Sequence, residues 1–478
     1  MFGLNIYIII YNIILGDACM NSPSLCVKDV RTIPHELKKF QKGYTEKFRT
    51  KTQNLKDQAL QYLKGKFLEK GRGNMTSYAK VVPETNNQRL QNFISDSPWD
   101  EKPVIEQIQL DVTNLIGDKT NGSIHIDESG IKKDGKDSVG VKRQYLGRLG
   151  KIDNCQMGVF LGYANGNRRT LIDERLYLPE DWANDPIRRK KCGVPDDIVF
   201  KTKAQLGLEM LLEAQKRGVP FAWVGMDCFY GEQPWLLDEI ASKGMVYIAD
   251  TPRDTQVWLE KPRIEIPEKK GIVGRNPKRQ KILSGEPQPN KVQELAKQLD
   301  PSRYARVFLR ETERKELWSK LACLRVFPVR DKLPGVETWL IIRKDEGENI
   351  TKYQLSNAPA DTSIERLGKM SCSRFWIERA LEDGKGEAGL ADYQVRGWTG
   401  WHHHMVMTLL AMLFILQMVV KWGEKAEMIS VQDIKEVLEV ILPRNEITEE
   451  EILAIILQKQ RARLSARKSH HRRNGFRV

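Results

Sequence analysis

The stretch that decides the reading is "GSIHIDESGIKKDGKDSVGV", residues Gly122–Val141. A short alternation of apolar residues runs into Asp127, then into a turn rich in glycine and lysine. The alternation predicts a β-strand that ends on Asp127. A carboxylate at the end of a buried strand costs desolvation unless something positive holds it. "FAWVGMDCFYG" also has an apolar approach and ends its strand on Asp227. Further on, "DTSIERLGKMSCSRFWIERALED" reads as one helix and carries Glu378, with Glu382 and Glu387 as alternatives nearby. Three carboxylates on two neighbouring strands and a helix make an all-oxygen site suited to Mg²⁺. Two such ions about 4 Å apart can activate a water or a 3′-hydroxyl and stabilise the leaving oxygen of a phosphodiester. The plainer reading is that each Asp is a turn or cap residue at a strand end.

The helix adds to the chemical reading. Arg374, Glu378 and Lys385 stand at i, i+4 and i+11, within about 40° of one face. Basic residues beside a metal-binding Glu can grip the phosphates that flank the scissile one. The alternative is intrahelical ion pairing on a solvated face. Lys132 and Lys133 in "KKDGK", with Arg143 beyond, are candidates for phosphate contacts or simply for a solvated turn.

Composition agrees with a polyanionic partner. The 478 residues carry a net charge of +14 and are 40% apolar, enough for two or three domains with real cores. The tail Lys459–Val478 holds eight Lys/Arg and no acid, so it is either a solvated end or a phosphate-binding arm. Seven cysteines without a C-x-x-C pair argue against a disulfide scaffold or zinc ribbon. The opening "MFGLNIYIIIYNIIL" lacks a basic flank and is short for a membrane span. It reads as an atypical extension, with Met20 a candidate start. A second apolar run, Met405–Val420, reads as a buried helix.

Six segments are expected. They are an extension over 1–29, a helical DNA-binding region over 30–116, and an α/β core over 117–250. A β-rich insertion with a basic, proline-rich linker follows over 251–360, then the second part of the core over 361–440 and a helical, basic C-terminus over 441–478. Within the first helical region, "MTSYAKVVPETNNQRLQNFISDSPWD" predicts two short helices about a turn, either a helix-turn-helix or a packing unit. "WHHH", Trp401–His404, invites a metal reading, but three consecutive His cannot all face one ion on a helix or strand. They are expected to pack or to touch DNA. Trp235, Trp398 and Trp401 are expected in the core rather than stacked on bases.

Longer stretches carry a family likeness. "IDESGIKKDGKDSVGVKRQYLGRLGKIDNCQMGVFLGYA", "YLPEDWANDPIRRKKCGVPDDIVFKTKAQL", "WVGMDCFYGEQPWL", "YQLSNAP" and "YQVRGWTGWHHHM" resemble DDE transposases of bacterial insertion sequences, in the branch with a β-rich insertion before the glutamate. The resemblance covers most of residues 40–470. It implies a ribonuclease H-like catalytic core and a metal-binding triad of Asp127, Asp227 and Glu378. The long separation of Glu378 from Asp227 fits a core interrupted by the insertion. The family's signature reads Tyr, two residues, Arg, three residues, Glu, six residues, Lys. Arg374, Glu378 and Lys385 match it, and Ser371 stands where the Tyr would be. Tyr230 and Gly231 resemble the family's turn after the second aspartate, which makes Tyr230 a candidate DNA contact.

The resemblance further implies two Mg²⁺ ions, replaceable by Mn²⁺, and double-stranded DNA as partner, both transposon ends and target. It implies a homodimer on paired ends, no membrane, and a bacterial cytoplasm near the nucleoid. A catalytically silent DNA-binding descendant and a non-transposing nuclease of the same fold are the competing functions.

Overall fold

The computed structural model describes residues 24–267, 278–312, 315–347, 350–446 and 448–473. The apolar opening stretch, residues 268–277 of the basic linker and the last five residues lie outside them.

Runs of apolar residues build a thirteen-stranded mixed sheet among the described residues. Its main strands are β1 (Ser123–Lys132), β2 (Lys142–Leu146), β3 (Lys151–Asn165), β4 (Arg168–Tyr177), β5 (Trp223–Met226), β6 (Tyr247–Asp250) and β7 (Gln256–Trp258). The later ones are β8 (Ala305–Glu311), β9 (Glu316–Arg330), β10 (Thr338–Asp345) and β11 (Thr351–Ser356). The spatial order runs β7-β9-β10-β11-β6-β5-β1-β3, with β2 and β4 both on β3 and β8 on β9. β1, β5 and β6 are parallel, and the other pairings among these strands are antiparallel.

β1 does not stop at Asp127. It continues to Lys132 because β3 keeps pairing with it as far as Lys132↔Cys155, while its parallel ladder with β5 ends at Ile126↔Met226. β3 is buried without a break from Cys155 to Ala164, as a central strand covered on both faces must be.

Most strands of the 251–360 segment extend this same sheet, while Ile264–Glu265 and Lys281–Ile282 pair with each other apart from it. "YQLSNAP" makes the joint. Ser356 Oγ donates to Tyr247 O at 2.6 Å, Asn357 Oδ1 accepts from Tyr247 N at 2.7 Å, and Asn357 Nδ2 donates to Met245 O at 2.9 Å.

Residues 27–116 are helical: α1 (Val27–Arg31), α2 (Ile33–Lys42), α3 (Lys56–Leu68), α4 (Met75–Val81), α5 (Asn87–Ser95) and α6 (Lys102–Ile116). α4 and α5 begin at asparagine caps: Asn74 Oδ1 accepts from Ser77 N, and Asn86 Oδ1 from Arg89 N. α7 (Lys203–Lys216) connects β4 to β5, and α8 (Pro234–Ser242) connects β5 to β6. The stretch read as one helix over 361–383 is two, α9 (Ile364–Cys372) and α10 (Phe375–Gly386).

The apolar run centred on 405–420 lies in α11 (Trp398–Gly423), followed by α12 (Val431–Ile441). α11 is long and apolar enough to cross a membrane by length and composition, yet most of it is buried inside the protein. A helix apolar on every side needs cover on every side. α3, α5, α6, α12 and β4 supply it, and their side chains form one hydrophobic core with α11.

Candidate active site

The parallel strands place the carboxylates. Ile126 of β1 is level with Met226 of β5, and Met226 is level with Ala249 of β6. The next residue on each strand is an aspartate: Asp127, Asp227 and Asp250. Three acids therefore emerge side by side at one edge of the sheet. Asp250 was absent from the sequence reading, although "YIAD" has the same apolar approach as "IHID" and "VGMD".

Local contacts fix the acids. Asp127 Oδ1 accepts from Glu128 N at 2.7 Å. Asp227 caps the single helical turn Cys228–Gly231 and accepts from Tyr230 N at 3.3 Å. Gly231 lets that turn lie against β6, since a Cβ there would collide with the Asp250 carbonyl oxygen.

α10 brings Glu378 to this edge. Its Ile377 packs over Gly162 of β3, where any side chain would displace it. Arg169 of β4 binds Asp383 at 2.7 Å and anchors the far half of the helix. Arg374 precedes the helix and reaches into the acids: Nε lies 2.9 Å from Asp250 Oδ2, and Nη2 lies 2.6 Å from Glu378 Oε1. So the ion pair at i, i+4 does form, and Arg374 faces the carboxylates rather than open solvent. Glu382 pairs with Arg379 at 2.7 Å instead.

Electrostatics answer the desolvation problem only in part. Burial, and then repulsion by Asp227, push the Asp127 carboxyl up to about 7 against the pull of Arg374. Burial and the Glu128 charge raise Asp227 as well. Burial works against the charge on Arg374, but Asp250, Glu378, Asp127 and Asp227 together raise it. One guanidinium thus serves four carboxylates. Among the described residues, no three His, Cys, Asp or Glu side chains are arranged to hold one metal ion as they stand. Glu378 is turned onto Arg374. The donors are nonetheless all carboxylate oxygens in a region of excess negative charge, which fits a hard divalent cation.

The profile of a family described as DDE superfamily endonuclease matches residues 44–316, more than half of the chain. The chain belongs to the DDE superfamily endonucleases. The matched segment includes Asp127 and Asp227 and ends before Glu378. This DDE chain is 26% identical over 340 residues to the probable transposase for insertion sequence element IS701 of Microchaete diplosiphon, covering 68% of this chain and 73% of that protein. It also aligns with a piggyBac transposase in a synaptic complex with hairpin DNA, with a TM-score of 0.37 and 12% identity over 88% of this chain and 80% of the other.

The remaining candidates of this DDE endonuclease are buried beside the acids or lie away from them. Tyr230 is fully buried and donates its hydroxyl to Glu128 Oε2 at 2.9 Å, so its ring has no surface to offer DNA. Lys203 completes that contact at 2.8 Å from Glu128 Oε1. Lys385 is in the last turn of α10, about 16 Å along the chain axis from Arg374 at 1.5 Å per residue. It lines a cavity of about 220 Å³ with Lys66, Glu69 and Glu439, away from the aspartates. Arg143 is exposed on β2, and Lys132 is exposed and 3.5 Å from Asp153. Lys133 donates to Tyr393 O at 2.6 Å and lines a cavity of about 300 Å³ with Arg72, Lys132 and Arg396. Burial and Arg72 push its ammonium down to about 8.

The histidines of "WHHH" face three ways. His402 Nδ1 is 2.6 Å from Glu174 Oε1, and Trp401 Nε1 donates to Glu174 Oε2 at 2.9 Å. His403 lies between the Ile94 and Trp99 carbonyls and stacks on the Trp99 ring. His404 contacts the Tyr62 hydroxyl and the Gly389 carbonyl. All three are buried and bind other parts of the protein.

Proposed function

We propose that this chain is a transposase. It cleaves DNA at the inverted-repeat ends of an insertion sequence and joins the freed 3′-hydroxyls to target DNA. The observation that carries the reading is the level exit of Asp127 and Asp227 from parallel strands beside Glu378, in a chain of the DDE endonuclease family. The order β4-β3-β1-β5-β6, antiparallel twice and then parallel twice, supports a ribonuclease H-like core. The long insertion before α9 fits the same architecture.

In this reading Asp127, Asp227 and Glu378 hold two Mg²⁺ ions, with Mn²⁺ able to replace them. When bound, the ions activate the attacking water or 3′-hydroxyl and stabilise the leaving oxygen. Both steps are in-line displacements at phosphorus and need no covalent enzyme intermediate. Asp227 is held in place by the Tyr230 amide. Asp250 holds Arg374 at the cluster, where its guanidinium can donate to a phosphate oxygen next to the scissile bond.

Lys132 and Lys133, with Arg72 and Arg396 around one cavity and Arg143 exposed on β2, offer a basic path for the DNA backbone. Arg461, Arg463, Arg467 and Lys468 are exposed along the helix Glu449–Arg473 and offer a second. The helices of 30–116 recognise the terminal repeats. The protein acts as a homodimer on paired ends in the cytoplasm, near the nucleoid.

The test is a cleavage assay on DNA that carries the inverted repeats flanking the gene, with Mg²⁺ and a target plasmid. Nicking at the repeat ends followed by joining supports the proposal. Binding without nicking identifies a silent DNA-binding descendant. Nicking without joining identifies a non-transposing nuclease.

A further inference from the structure

The helix that carries Glu378 is separated from its predecessor at Ser373–Arg374, and both residues there have helical backbone angles. No glycine or proline accounts for the interruption. Hydrogen bonding does. In a continuous helix the Ser371 carbonyl would accept from the Phe375 amide. Instead it accepts from Arg343 Nη1 at 2.8 Å and Gln354 Nε2 at 3.1 Å. The backbone tightens to i+3 bonds, with Ser373 N to Met370 O at 3.1 Å, Trp376 N to Ser373 O at 3.0 Å and Ile377 N to Arg374 O at 3.2 Å. Side chains inserted into the helical ladder are a known cause of a kink, and a cation over a helix C-terminus is favourable.

Both donors come from the β-rich insertion and are themselves held. Arg343 on β10 is buried and makes a two-point contact with Asp345, at 2.6 Å and 2.8 Å. Asp345 also accepts from Ser319 Oγ and from Lys352 Nζ. Gln354 on β11 is buried, and the same amide nitrogen donates to Asp250 Oδ1 at 2.6 Å. Asp250 holds Arg374, and Arg374 holds Glu378. Trp223 of β5 adds a donor to Ser373 Oγ at 2.9 Å.

We infer that Arg343 and Gln354 are positioning residues. Through the Ser371 carbonyl and Asp250, the insertion sets the break between α9 and α10 and thereby the place of Glu378 relative to Asp127 and Asp227. The inference rests on the proposed catalytic role of Glu378, while its effect on the helix break can be read without any reaction.

Gln354→Met keeps the length of the side chain and removes both donations. The full chain is compared with the parent by amide hydrogen exchange and by cleavage of end-bearing DNA with Mg²⁺. Exchange over residues 373–378 is expected to rise about tenfold, with α11 unchanged. Turnover is expected to fall about 100-fold, as for a misplacement near 1 Å, with the Kd for end-bearing DNA within about twofold. Unchanged exchange at the break overturns the inference, and so does faster exchange with undiminished turnover. If Gln354→Met does not fold, Arg343→Lys, which keeps the charge opposite Asp345, is carried through the same two measurements. If the parent itself does not cleave, the catalytic reading falls, and the exchange data alone decide whether the insertion sets the break.

Discussion

Replacing Asp127 with Asn should stabilise the metal-free protein while destroying its chemistry. Asn keeps the shape and can still accept from the Glu128 amide, so the change removes charge and little else. The folded carboxyl is pushed up to about 7 by burial and by Asp227, against a reference value of 3.8. Between about pH 4 and pH 7 the folded state therefore binds more protons at this site than the unfolded state does. Stability falls as pH rises through that window, and the penalty is complete above pH 7. At about 1.4 kcal/mol per unit, the full penalty is about 4 kcal/mol. A chain of 478 residues has an unfolding entropy of about 1 kcal/mol/K at roughly 2.1 cal/mol/K per residue.

Asp127→Asn should then raise the melting temperature by about 4 °C at pH 8 in a chelator, and by less than half of that at pH 5. Adding Mg²⁺ at pH 8 should raise the melting point of the parent more than that of the variant, because the parent alone has the full set of carboxylates. Differential scanning calorimetry at both pH values reads each arm. A variant that melts at or below the parent temperature at pH 8 would show that Asp127 is not a strained charge, and the account of the site would fail with it.

Other parts of the structure make their own demands. Glu174→Ala strands the buried His402 and Trp401 and should cost about 3–5 kcal/mol, seen as a melting point about 3–5 °C lower. Burial opposes the charge on His402, but Glu174 outweighs it and raises the imidazole. The pair's contribution is thus complete below pH 6.5 and is lost as pH rises through the raised value, so the gap between parent and variant should narrow in alkali; a gap that widens refutes the pairing. Gly231→Ala should cost about 1–3 kcal/mol by driving the Asp227 turn off β6, with DNA cleavage reduced much more than the melting point. Normal cleavage by Gly231→Ala would mean that the spacing of Asp227 and Asp250 does not matter.

Much of the site was legible because it rests on local pattern. The apolar approaches to Asp127 and Asp227 placed both at strands, and the strands proved to be parallel neighbours with the residues before the two aspartates level. Asp250 had the same signal in four residues, "YIAD", too short to stand out without knowledge that β6 lies beside β5. The end of β1 was misplaced because its continuation depends on β3, a partner that a strand's own residues do not reveal. Arg343 and Gln354, which bond the Ser371 carbonyl at the break before α10, lie far from it in sequence; the local sign is Ser373, whose hydroxyl donates to the Met370 carbonyl. Tyr230 looked like a contact for DNA because its motif did; its burial against Glu128 is a tertiary fact. The three histidines face three ways on α11, since consecutive helical residues point in different directions.

The central claim is that Asp127, Asp227 and Glu378 act as one metal-dependent unit in cutting and joining DNA. The most direct measurement is single-turnover cleavage and strand transfer on DNA bearing the flanking inverted repeats, for the parent and for Asp127→Asn, Asp227→Asn and Glu378→Gln. Cleavage and joining by the parent that require Mg²⁺ or Mn²⁺, and their loss in all three variants with repeat binding retained, are the predicted result. Cleavage that persists in any one of the three, or that proceeds in chelator, would contradict the account.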